Sequence, residues 1–112
     1  MTYEDALAAL ADPTRRHVFE QLRAGPKSVG AIAATLPVSR PAVSQNVKVL
    51  RDAGLVADRP DGARRLYFLD PRGLGALCVW LDEFWNESLA ALREDVVGNQ
   101  GRSGESAAGP RV

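Results

Sequence analysis

Cysteine and histidine are nearly missing from this chain: Cys78 and His17 are the only ones in 112 residues. One cysteine excludes an intrachain disulfide and every Cys-x-x-Cys redox or zinc motif. One histidine, beside Arg15 and Arg16 and without a partner ligand, makes a poor metal site, so no metal and no other cofactor is expected. No apolar run approaches the ~20 residues that cross a bilayer. The opening residues Met1-Thr2-Tyr3-Glu4-Asp5 are acidic and lack the basic and apolar regions of a signal peptide. A cytoplasmic protein without membrane contact is therefore expected. The acids Asp82, Glu83, Glu87, Glu94 and Asp95 have no nucleophile or histidine near them, and no phosphate-binding loop is visible, so no enzyme is expected. Aromatic residues are sparse, at 6% of the chain, yet Trp80, Phe84 and Trp85 crowd one short stretch.

Excess charge is missing too, since the net charge is +0. Its distribution is uneven. Residues 26–68 carry seven basic residues against three acids, net +4, and the remainder carries seven against eleven, net −4. A basic half facing phosphate and an acidic half facing water is one arrangement this permits.

What the chain does have is punctuation. Tyr3 to Ala11 reads as a helix with Leu7 and Leu10 on one face. Asp12-Pro13 is an N-cap followed by proline at the first helical position, opening a second helix to about Ala24 with Val18, Phe19 and Leu22 as its stripe. Gly25-Pro26 ends it. Ser28 caps a third helix to about Leu36, and Ser39 caps a fourth, to Leu50, with Pro41 in its first turn. Val43, Val47 and Leu50 give that helix one apolar face, and Gly54 suits its C′ position. The period then changes. Leu55 to Arg59 and Arg64 to Leu69 read as strands around Pro60-Asp61-Gly62-Ala63, with Asp-Gly as the hairpin signal. Asp70-Pro71 repeats the cap-then-proline pattern and opens a long helix to about Asp95, on whose apolar stripe Cys78 reads as a small buried hydrophobe. The tail, 98–112, is rich in Gly and Ser and reads as disordered.

Two short helices joined by a tight turn form a helix-turn-helix, whose second helix fits the major groove of DNA. Here the helix from Ser39 to Leu50 is that element. With its valines turned inward, Arg40, Ala42, Ser44, Gln45 and Lys48 face outward. Arginine bonds guanine bidentately, glutamine does the same for adenine, serine bonds base edges or phosphate, and lysine suits phosphate. Free N–H groups at the Ser39 end of the helix can hold a phosphate, and Pro41 in the first turn is expected at the same DNA-facing end. Arg59, Arg64 and Arg65 surround the hairpin turn, where a projecting loop can grip the flanking backbone or enter a minor groove. Arg64 and Arg65 are adjacent, so they point to opposite faces of a strand, and at most one is expected to reach DNA in a fixed pose.

The runs Ala11-Asp12-Pro13-Thr14-Arg15-Arg16, Leu36-Pro37-Val38-Ser39-Arg40-Pro41-Ala42-Val43-Ser44-Gln45, Lys48-Val49-Leu50, Ala53-Gly54-Leu55-Val56, Arg64-Arg65-Leu66-Tyr67 and Leu69-Asp70-Pro71 resemble, in order, those of the ArsR (arsenical-resistance repressor) family. The resemblance covers roughly residues 5–92. It implies a mainly α fold with a β-hairpin wing, a winged helix-turn-helix of order α1-α2-α3-α4-β-β-α5. It also implies a homodimeric repressor of a double-stranded DNA operator, whose terminal helices pair the two protomers. Members commonly carry histidine where this chain has Asn46. Metal-responsive members carry a cysteine pair in the helix matching Val29 to Leu36, and others bind zinc through Asp, His and Glu on the last helix; neither set is present here, and any small-molecule effector is unnamed. On this reading residues 1–97 form one DNA-binding and dimerisation domain. Leu7, Leu10, Leu77, Leu81, Phe84 and Trp85 are the expected dimer interface, because a two-fold pair would match two half-sites.

Overall fold

Each helix of the N-terminal half begins at a residue able to satisfy its free N–H groups. In the computed structural model, which describes residues 2–98 and side chains as far as Glu94, α1 spans Tyr3–Ala11. Thr2 and Asp5 cap it reciprocally, each side chain accepting from the other's backbone N–H at 3.2 Å. Asp12 then ends α1 and starts α2, Pro13–Gln21, its carboxylate accepting from the Thr14 and Arg15 N–H groups at 2.9 and 3.2 Å. The last carbonyls of a helix lack intrahelical partners. Here α2 supplies them: Arg15 Nε donates to the Ala9 carbonyl at 2.6 Å, and an Arg16 amino group to the Leu10 carbonyl at 2.7 Å. Positive guanidinium groups also suit the negative end of α1. The run from Asp12 to Arg16 is thus the joint between two helices.

Sequence reading carries α2 to about Ala24, but its last turn, Leu22–Ala24, tightens to 3-10 geometry. The third helix is shorter than expected. α3 is only Val29–Ala33, because the Thr35 N–H bonds back three residues to Ile32 and its hydroxyl lies 3.0 Å from the same carbonyl. α4, Arg40–Asp52, runs two residues beyond Leu50 and packs Val43, Val47 and Leu50 into the interior at 1% exposure or less.

β1, Val56–Asp61, and β2, Arg64–Leu69, pair antiparallel, with Val56 opposite Leu69 and Asp61 opposite Arg64. The loop is therefore two residues, Gly62-Ala63, rather than four. Gly62 has φ +63° and Ala63 does not, the pattern of a type II′ turn. Lys27 adds a bridge on the other side of β2, exchanging both backbone bonds with Tyr67 at 3.0 and 2.8 Å. This ties the hairpin to the segment that opens α3.

The core joins Ala6, Ala9, Val18, Leu22, Ile32, Val43, Val47, Leu50, Ala53, Leu55 and Val56. On α1 the buried face belongs to the small Ala6 and Ala9, with Leu10 half-buried beside them, while Leu7 is 41% exposed. Leu7 and Leu10 thus differ in how far the chain's own core covers them. α5, Pro71–Gly98, starts at Asp70, whose carboxylate accepts from the Arg72 N–H at 3.0 Å. The Gly73 N–H donates to the Gly54 carbonyl at 2.8 Å, and a Cβ at Gly73 would lie 2.7 Å from that oxygen. Only glycine permits this approach.

The chain divides within α5 into two compact units, one up to Val79 and the other from Trp80. In the first, Leu74 and Leu77 pack against the core, and Cys78 is exposed rather than buried. In the second, Trp80 and Phe84 stack with ring centres 5.8 Å apart, one helical turn from each other. The expected disordered tail lies, from residue 99, outside the described residues.

Candidate nucleic-acid interface

Rigidity of α4 comes from both its ends and its inner face. The Ser39 hydroxyl accepts from the Ala42 N–H at 3.3 Å, Pro41 needs no partner in the first turn, and the Ala53 N–H closes the far end on the Val49 carbonyl. Leu50 alone contributes roughly 1.5–3 kcal/mol by leaving water. The opposite face holds Arg40, Ser44, Gln45 and Lys48, all exposed. None of these four makes a side-chain hydrogen bond or ion pair among the described residues, so their donors and acceptors remain available. Asn46 lies at the edge of this face, half-buried.

Arg40 is exposed, and its guanidinium leans toward α3 and the hairpin. Its guanidinium lies over Gly30 in the first turn of α3, where a Cβ on residue 30 would meet Nη2 at 2.8 Å and Cζ at 3.1 Å. The first turn of α3, Arg40, Ala63, Arg64, Arg65 and Tyr67 together line a groove of about 430 Å3 open to solvent.

The hairpin presents its charges differently. The register puts Asp58, Pro60, Arg65 and Tyr67 on one face and Arg59, Asp61, Arg64 and Phe68 on the other. Arg64 and Arg65 thus diverge, as their adjacency requires. Each is held by an acid of the same hairpin: Arg64 Nε donates to Asp61 at 3.1 Å, and Arg65 Nε to Asp58 at 2.7 Å. Asp58 also faces Arg51 of α4 at 3.7 Å, linking the helix end to the hairpin. Arg59 sits over the Phe68 ring, 5.3 Å from its centre.

The role of Asp58 was within reach of sequence, because a two-residue loop puts it on the same face as Arg65. Gly30 carried no such signal, since its neighbour in space is ten residues away. At the base of the hairpin, Asp70 is buried at 5% exposure and paired to Arg72 at 2.6 Å. The Arg72 guanidinium, then its backbone N–H, holds this carboxyl below the ordinary aspartate value, outweighing the opposing effect of burial. Of the six residues expected at a dimer interface, Leu10 and Leu77 are half-buried against their own core. Leu7 in the first unit is exposed, as are Leu81, Phe84 and Trp85 in the second. Among the described residues, no group of three or more His, Cys, Asp or Glu side chains could hold a metal ion, and no helix is long and apolar enough to cross a membrane.

Comparison with known proteins agrees with this geometry. Residues 10–59 match the family described as a helix-turn-helix domain. The chain is 60% identical over 89 residues to the HTH-type transcriptional regulator Rv2034 of Mycobacterium tuberculosis, covering 80% of this chain and 83% of that protein. Fold, exposed helix face and relatives define a DNA-binding transcriptional regulator of winged helix-turn-helix type. It is also 30% identical over 79 residues to the transcriptional repressor SdpR of Bacillus subtilis, covering 70% of this chain and 88% of that one. The solution structure of Mb0332 from Mycobacterium bovis, a homodimeric winged helix-turn-helix DNA-binding domain of a possible ArsR-family regulator, matches with a TM-score of 0.60 at 26% identity. That match covers 75% of this chain and 78% of that one. The chain belongs to the ArsR family.

Proposed function

We propose that two copies of this chain form a cytoplasmic repressor that blocks transcription by occupying operator DNA. Each α4 enters a major groove, with Ser44 and Gln45 toward base edges and Lys48 toward phosphate, while Arg59, Arg64 and Arg65 approach the flanking backbone. Its role is regulation rather than catalysis, and residues 1–97 suffice for it. The observation that carries this reading is the unpaired polar face of α4, displayed on a helix whose other face is locked into the core. The likeness to the Bacillus repressor supports repression, and the homodimeric Mycobacterium bovis structure supports pairing. Leu81, Phe84 and Trp85, exposed on α5, are apolar surface that a second copy would cover.

Enrichment of duplexes from a random pool tests the reading. The expected product is a pair of related half-sites about 10 base pairs apart, or a multiple of that, reflecting the two-fold axis. Enrichment of an isolated half-site, or none, contradicts it. Phe84→Glu is expected to shift the protein to monomers in sedimentation and to weaken binding.

A further inference from the structure

Arg40 combines three features that no other described residue shares. Its guanidinium is unpaired among the described residues, rests on a glycine, and opens into a groove bounded by two more guanidinium groups. Arg64 and Arg65 each use Nε on a carboxylate, and a guanidinium has five N–H donors, so both keep amino groups for another acceptor. No carboxylate lines the groove itself. It lies between the start of α4 and the wing, where DNA backbone passes when that helix occupies a major groove. Planar guanidinium groups suit the paired oxygens of a phosphodiester.

We propose that Arg40 closes on a DNA phosphate in this groove, together with Arg64 or Arg65, and that Gly30 is its positioning residue. The assignment rests on the DNA-binding reading above. It replaces the guanine contact expected of Arg40 from sequence, because the seat on Gly30 turns the fork toward the wing. Any side chain at residue 30 occupies the space of that seat.

The test measures anisotropy of two labelled duplexes, one enriched from a random pool by the wild-type protein and one of shuffled sequence, across a salt series. Arg40→Ala is expected to weaken both by the same factor, about tenfold, and to flatten the salt slope by about 0.9, one phosphate contact. Arg40→Lys restores most of this, since a point charge still serves a phosphate. Gly30→Ala weakens both duplexes severalfold without loss of thermal stability, because the displaced atoms end a flexible side chain and alanine favours helix. Combined with Arg40→Ala, it adds nothing further.

Loss confined to the enriched duplex, with an unchanged slope, makes Arg40 a base reader and overturns the proposal. Additive losses in the double variant overturn the role of Gly30. A wild type that separates the two duplexes while Arg40→Ala binds both normally sinks this inference alone. A wild type that binds neither duplex sinks the functional reading, and this inference with it.

Discussion

α4 and the hairpin are both exposed and polar, yet they offer DNA different things. The helix holds Ser44, Gln45 and Lys48 unpaired on a scaffold whose opposite face is buried at 1% exposure or less. The hairpin offers arginines already committed, Arg64 to Asp61, Arg65 to Asp58 and Arg59 to the Phe68 ring. Unpaired groups on a rigid support pay full strength to a matching base edge and penalise a wrong one, which is the requirement for discrimination. Paired charges soften attraction to phosphate, and on the proposed reading they keep the wing from holding every duplex tightly. On the proposed DNA-binding reading, discrimination is concentrated on α4, and the hairpin contributes grip at reduced charge.

The contrast is easiest to break at the support. Leu50→Ala removes a fully buried side chain beneath α4 and is expected to cost about 3 kcal/mol, within the usual 2–5, read from the denaturant midpoint. A loss under 1 kcal/mol would mean that the inner face is not what holds the helix. Gln45→Ala leaves stability unchanged and removes about 1–3 kcal/mol of discrimination between enriched and shuffled duplexes, leaving shuffled binding intact. Equal weakening on both would move Gln45 into the backbone-contact class.

The root of the wing gives the next effect. Asp70→Ala deletes the cap of α5 and is expected to destabilise by about 1 kcal/mol at neutral pH. Because the Asp70 carboxyl is held below its ordinary value, its contribution is fully present above about pH 4, the unfolded value, and is lost as pH falls through the folded one. The gap between wild type and variant, followed by thermal unfolding, should therefore narrow in acid; a constant gap would exclude the charge as its cause. The smallest effect is the most diagnostic of the wing. Asp61→Asn frees Arg64 from an exposed ion pair, worth about 0.2–1 kcal/mol. Both duplexes should bind slightly tighter with a steeper salt dependence, and weaker binding would show that Asp61 orients the arginine instead of restraining it.

Local chemistry was legible in the chain. Asp12, Ser28 and Ser39 cap the helices they precede, the prolines after Asp12 and Asp70 open helices, and Val43, Val47 and Leu50 mark the inner face of α4. Those features depend on residues within one or two turns, so spacing alone exposes them. The same spacing misjudged Cys78, because an apolar stripe does not tell which of its members a neighbouring element covers. It also overran α3, where Thr35 competes for the backbone.

Sequence by itself determined the order of elements, the helix-turn-helix and the residue types that face outward on α4. Tertiary structure alone decided where the charges point. The Lys27 bridge to Tyr67, the Gly73 approach to Gly54, the Arg51–Asp58–Arg65 link and the seat of Arg40 on Gly30 join residues from separate elements. Such contacts follow from how packed faces meet in space, which no local pattern of caps and periods encodes. Gly30 is the plainest case: an unremarkable glycine in a short helix becomes a seat only once α4 crosses it.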